Sequence, residues 1–120
     1  MAKKIMIVDD DPNIISYLTD FFSDNGYVTC SASDGRSALD VAKKEKPDLI
    51  TLDLEMPEEW GPRFYRKMAQ DPEIKNTPVI VISGLSGNQY AIQKAVASIS
   101  KPFDRAELIK IVRDAIGDAK

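Results

Sequence analysis

Acidic residues follow two apolar segments of the sequence and could carry out chemistry together. Asp9 and Asp10 come directly after the apolar residues 5–8, and Asp53 lies at the end of a second apolar run. Carboxylates that converge on one point repel one another and require a cation, and an all-oxygen ligand set suits a hard ion such as Mg²⁺. Because a carboxylate can also accept a phosphoryl group, these acids indicate a metal-assisted phosphoryl site.

A hydroxyl and an amine follow two later apolar segments. Ser83 comes after residues 78–82, and Lys101 comes after residues 98–100. A lysine and a hydroxyl near the acids would complete a cradle for a phosphoryl group. Taken singly, Ser83 is a turn cap and Lys101 a surface lysine, while Glu55 is expected to face solvent. Their occurrence at successive segment ends favours the functional interpretation.

The composition excludes several kinds of catalytic and metal site. The chain has 120 residues, which predicts a single domain over residues 1–120. It contains no histidine, which excludes Ser-His-Asp and Cys-His catalysis and any histidine-ligated metal site. A net charge of −3 argues against direct binding of nucleic acid. The single cysteine, Cys30, and the lack of a signal or spanning segment predict a cytoplasmic protein without membrane contact.

Short apolar runs alternate with amphipathic ones along the whole chain. The predicted strands are residues 5–8, 27–31, 48–54, 78–82 and 98–100. The predicted helices follow residues 11 and 34, span residues 63–70 and 88–96, and follow residue 104, with residues 56–62 as a loop. Five β–α units predict an α/β fold with a doubly wound parallel sheet. Ligands bind such a sheet at the carboxyl ends of its strands.

Capping residues mark where three of these helices begin. Asp11 is a predicted N-cap with Pro12 at the first helical position, and Asp34 precedes the second helix. Asp104 and Glu107 form a pattern similar to a capping box before the last helix. By itself, Asp11 is therefore interpreted as a helix cap rather than as part of a site.

Four motifs resemble the receiver domain of bacterial response regulators. They are Ile-Val-Asp-Asp-Asp-Pro at 7–12, Asp-Leu-Glu-Met-Pro at 53–57, Val-Ile-Ser-Gly at 81–84 and Lys-Pro-Phe at 101–103. The resemblance covers essentially the whole chain. It implies a flavodoxin-like fold with strand order 2-1-3-4-5 and about five helices. It also implies a regulator that is activated by phosphorylation and signals through changed protein–protein contacts.

The resemblance also implies a role for each site residue. Asp53 would accept the phosphoryl group from a sensor histidine kinase or a phosphotransfer protein. Asp10 and Asp53 would bind Mg²⁺ through their side chains, Glu55 through its backbone carbonyl and Asp9 through bound water. The two remaining residues would contact the phosphoryl group, by a hydrogen bond from Ser83 and a charge pair with Lys101. The peptide bond before Pro102 is expected to be cis. The output would pass to another protein or to an attached output domain.

The fourth β–α unit departs from the family pattern. Ser98 stands where an aromatic residue is common, and the span between Ser83 and Lys101 is short, which predicts a shortened fourth helix. A receiver-like docking module that works without phosphorylation is therefore an alternative function. A small phosphatase that uses an aspartyl phosphate is a further alternative, with Glu55 as its second acid. Because no cap domain could enclose a substrate, the chain is not expected to be an enzyme.

Overall fold

A single parallel sheet of five strands forms the centre of the molecule. The computed structural model describes the backbone of residues 3–53, 60–83, 97–100 and 104–117, and the side chains of residues 3–53, 63–82 and 104–117. The strands are β1 (Lys4–Val8), β2 (Val28–Ala32), β3 (Leu49–Leu52), β4 (Val79–Ser83) and β5 (Ala97–Ser100). Their order is β2-β1-β3-β4-β5, which confirms the predicted topology.

Helices cover both faces of this sheet. They are α1 (Pro12–Asp24), α2 (Gly35–Glu45), α3 (Trp60–Ala69) and α4 (Arg105–Ile116). The helix predicted at residues 88–96 lies outside the described residues. None of the described helices is long and apolar enough to cross a membrane.

The apolar strands separate two cores because alternate residues of a strand point to opposite faces. Met6 and Val8 pack on one side with residues of α2 and α3, such as Ala42 and Phe64. The other side contains a second core. Its buried members on β1, α1 and α4 are Ile5, Ile7, Leu18, Phe22, Leu108 and Val112. The strands are thus buried on both faces, as a doubly wound sheet requires.

Aspartate side chains cap three helices where the sequence predicts them. Asp11 accepts a hydrogen bond from the Asn13 backbone N–H at 2.9 Å, and Pro12 occupies the first helical position. Asp34 accepts one from the Ser37 N–H at 2.7 Å, which lowers the pKa of Asp34 below its ordinary value. At α4, the cap is Asp104. These contacts satisfy backbone donors that have no partner within the helix.

Most strand boundaries differ from the prediction by one or two residues, and β3 (Leu49–Leu52) is shorter than the predicted 48–54. Two of the differences have a clear physical reason. Helix α3 begins at Trp60, so the loop predicted to extend through residue 62 was too long. Pro62 fits within the first turn because the N–H that proline lacks would have no helical partner there. Tyr27 lies before β2 rather than in it, because its N–H donates to the Phe22 carbonyl at 3.0 Å and its ring packs edge-on against Phe22.

Candidate functional site

The pairing of β1 with β3 brings the predicted acids to one edge of the sheet. The two strands run parallel in a register that sets Val8 beside Leu52. The Asp53 backbone N–H continues this ladder by donating to the Val8 carbonyl at 2.9 Å. Asp9 and Asp53 therefore leave adjacent strands side by side, and each is only 3% exposed.

Three carboxylates meet at this edge. Oxygen atoms of Asp9, Asp10 and Asp53 all lie within 4.8 Å of one another; we call these residues the acidic cluster. At that separation two negative charges repel by about 3 kcal/mol if the effective dielectric constant is about 20. The cluster could bind a metal ion, and its all-oxygen donor set in a chain without histidine fits a hard cation such as Mg²⁺ or Ca²⁺.

A tight turn fixes the direction of the Asp9 carboxylate. Asp9 Oδ1 accepts a hydrogen bond from the Asp11 backbone N–H at 2.9 Å, a local arrangement typical of an Asx turn. Asp11 thus serves the site through its backbone and helix α1 through its side chain. The capping role was predicted from the sequence and the backbone role was not, although an acid two residues before an N-cap is a usable signal for such a turn.

The remaining predicted residues are placed only in part. Ser83 is the last residue of β4, which pairs with β3, so its backbone lies at the same edge as the acidic cluster. Strand β5 also ends at this edge, at Ser100. Glu55 and Lys101 lie outside the described residues, as does the predicted cis peptide before Pro102. Their roles remain predictions.

Comparison with known proteins defines the class of this chain. A family model for the response regulator receiver domain matches residues 5–113, so the chain belongs to that family. Protein Rrf1 of Nitratidesulfovibrio vulgaris is 35% identical over 116 residues, which cover 97% of this chain and 84% of that protein. The polar-differentiation response regulator DivK of Brucella anthropi is 32% identical over an alignment of 123 positions, which covers 99% of this chain and 100% of that protein.

Solved structures show the same architecture. One is the receiver domain of sensor histidine kinase PA1611 from Pseudomonas aeruginosa PAO1. It matches with a TM-score of 0.87 and 25% identity over 98% of this chain and 100% of that one. That structure has a magnesium ion coordinated in its active-site cleft. Chemotaxis response regulator CheY4 of Vibrio cholerae matches with a TM-score of 0.84 and 28% identity over 96% and 99%. The general role of this family is phosphorylation-dependent signal transduction, together with sensor histidine kinases and output partners.

Proposed function

We propose that this domain is a phosphorylation-activated receiver that accepts a phosphoryl group on Asp53. The donor is a histidine of a sensor histidine kinase or of a phosphotransfer protein. The observation that carries this proposal is the acidic cluster. Three carboxylates within 4.8 Å of one another repel and lower the stability of the fold, which is not expected of residues with a purely structural role. Asp53 is the proposed acceptor because it is the member that directly follows the central strand β3, beside the ends of β1 and β4.

The transfer is a displacement at phosphorus. A carboxylate oxygen of Asp53 forms the new P–O bond while the P–N bond to the donor histidine breaks and the imidazole keeps that electron pair. The product carries nearly two negative charges on the phosphoryl group. Lys101 pairs with those charges and the Ser83 hydroxyl donates a hydrogen bond to a phosphoryl oxygen. The movement of Ser83 towards the phosphoryl group shifts the balance between two surface states.

The site is proposed to work with Mg²⁺. Side-chain oxygens of Asp10 and Asp53 would hold the ion, together with the backbone carbonyl of Glu55 and a water bound by Asp9. When bound, Mg²⁺ neutralises negative charge on the transferring oxygens. The PA1611 receiver domain, a relative in structure, has a magnesium ion in its active-site cleft, which supports this choice of metal.

The signal is proposed to leave the domain through protein–protein contacts with an output protein or an attached output domain. The domain is a phosphoacceptor rather than an enzyme with turnover, and it does not contact DNA or a membrane directly. We place it in the cytoplasm, since a chain whose only cysteine is Cys30 makes no internal disulfide and suits a reducing compartment.

A receiver-like docking module that works without phosphorylation is the second candidate. It is favoured by Ser98, which pairs in register with Val81 of β4 and stands where the family commonly has an aromatic residue. A small hydroxyl side chain cannot couple the site to the surface in the way that a rotating ring does.

One experiment separates the two candidates. The protein is incubated with acetyl phosphate and Mg²⁺, and its intact mass is measured for the wild type, Asp53→Asn and Asp48→Asn. Asp48 is the matched control because it precedes the opposite end of β3. We expect one added phosphoryl group in the wild type and in Asp48→Asn, and none in Asp53→Asn or with a chelator. Failure to label the wild type, while a known receiver is labelled in parallel, would contradict the proposal and favour the docking module.

A further inference from the structure

Charge is distributed unequally between the two helical layers. Helices α2 and α3, with the connection that follows α3 up to residue 77, contain seven of the 16 basic residues and only four of the 19 acidic ones. In contrast, no lysine or arginine occurs between Lys4 and Arg36, a stretch that includes α1 and six aspartates. The molecule as a whole has a net charge of −3, so this asymmetry is not a consequence of overall composition.

The cations of α2 and α3 form one surface. Both helices pack on the same core, so their outward sides face the same way. We define the basic face by its exposed cations, which are Lys43, Lys44, Arg63, Arg66 and Lys67. Four acids belong to the same segments. Asp71 pairs with Lys43 at 3.4 Å, Glu45 pairs with Lys4 of β1 at 2.9 Å, and Asp40 and Glu73 are exposed. The basic residues still outnumber these acids by seven to four, so the surface has a positive net charge.

Helix α1 presents the opposite chemistry on the other side of the sheet. We define the acidic stripe as Asn13, Tyr17, Asp20 and Asp24, which are all exposed and follow the spacing of one helix face. Tyr17 is 41% exposed and is one of two exposed large hydrophobic residues in the described part of the chain. The stripe therefore combines an accessible aromatic ring with carboxylates.

We propose that the basic face of one copy of this chain docks on the acidic stripe of a second copy. The two surfaces are complementary in charge, and arginine suits both components of the stripe because it pairs with carboxylates and stacks on aromatic rings. The surfaces lie on opposite sides of one sheet, so the contact is head-to-tail and can repeat from copy to copy. Because both surfaces are exposed and charged, the association is weak and sensitive to salt.

The test is the mass distribution in solution, measured by sedimentation velocity on a dilution series. At about 10 mM salt and high protein concentration, we expect the wild type to have a mean mass of about twice the monomer mass or more. At about 1 M salt, where the Debye length is only about 3 Å, it should be monomeric. Neutralising the basic face (Lys44→Gln with Arg66→Gln) or the acidic stripe (Asp20→Asn with Asp24→Asn) should each weaken the association about tenfold.

Mixing gives the decisive result. Each double variant keeps one intact surface, so an equimolar mixture should form dimers that cannot grow further. Substitution of Arg105 and Lys110 by Gln on α4 makes the same change in charge at exposed positions and should leave assembly unchanged. The proposal is overturned if the wild type stays monomeric at low salt, or if the α4 variant weakens assembly as much. It is also overturned if the basic face binds a DNA duplex while the protein does not self-associate.

Discussion

The two ends of strand β1 differ in how charged side chains are arranged: opposite charges meet at its start, and like charges meet at its end. At its start, Lys4 lies between acids: its Nζ contacts Glu45 Oε1 at 2.9 Å, and its backbone N–H donates to Asp48 Oδ2 at 2.8 Å. The hydrogen bond between the Lys4 and Glu45 side chains raises the pKa of Lys4 and lowers the pKa of Glu45. At the other end of the same strand, Asp9 and its neighbours bring three carboxylates within 4.8 Å of one another.

This difference separates a structural use of charge from a functional one. Opposite charges at the start of β1 stabilise the junction of α2, β1 and β3 only modestly, since water screens an exposed ion pair. Like charges at the end of β1 destabilise the fold unless a cation joins them. An arrangement that costs stability at the carboxyl edge of a parallel sheet indicates a binding site. Of the four predictions that follow, one concerns a thiol beside the middle of β1 and three test this contrast between its ends.

The largest expected effect concerns Cys30, which lies on β2 beside Met6 of β1. Burial raises the pKa of the Cys30 thiol from 9.0 to about 11, so at pH 8 the reactive thiolate should be about a hundredfold rarer than in the unfolded chain. We expect alkylation by iodoacetamide to be slower by that factor in the native protein and to accelerate as the pH rises towards 11. Equal rates in the native protein and in the urea-unfolded protein would contradict this.

Removing one charge from the acidic cluster should stabilise the fold. In the presence of a chelator, we expect Asp10→Asn to raise the free energy of unfolding by about 2 kcal/mol, because Asp10 is exposed and its repulsion by two buried acids is partly screened. Urea unfolding measures the change. Glu107→Gln, an exposed acid on α4, is the control and should change stability by less than about 0.5 kcal/mol.

The adjacent acid should behave in the opposite way. Asp11→Ala removes the side chain that caps α1, so we expect it to lower the free energy of unfolding by about 1 kcal/mol although it also removes a negative charge. Asp11→Ser, which retains a capping oxygen, should recover most of the loss. If Asp11→Ala proved stabilising, the assignment of Asp11 to the helix rather than to the cluster would be wrong.

The smallest effect is expected at the start of β1. Asp48→Asn keeps an acceptor for the Lys4 N–H but removes its charge, so we expect a loss of about 0.5 kcal/mol in the free energy of unfolding. The loss should shrink as salt is added, because the contact is exposed. Urea unfolding at low and high salt provides the measurement, and a gain in stability would remove the contrast between the two ends.

Much of the fold could be predicted because its signals are local. Continuous apolar runs indicated β1, β3 and β4, and Asp11, Asp34 and Asp104 marked helix starts whose capping bonds the structure contains. The convergence of the acids followed from topology, since parallel strands deliver their ends to one edge. These predictions required no knowledge of side-chain packing.

The errors arose where tertiary contacts override local preference. Tyr27 has strand propensity, but its ring is buried against Phe22 and its hydroxyl donates to the Gly117 carbonyl at 2.9 Å, a contact 90 residues away. Gly61 and Pro62 resemble loop residues, yet they fall within α3. The bond from the Asp11 N–H to Asp9 was missed because Asp11 was interpreted only through its side chain, as a helix cap, although the spacing of the two acids is compatible with an Asx turn.

The most direct test of a functional acidic cluster is a magnesium titration of thermal stability in the wild type and in Asp10→Asn. If the cluster binds the cation, Mg²⁺ should raise the melting temperature of the wild type progressively, by the stabilisation that ligand binding to the native state produces. Asp10→Asn should begin at a higher melting temperature in chelator and respond little to Mg²⁺. Equal responses of the two proteins, or no response in the wild type, would contradict the assignment of these acids to a metal site.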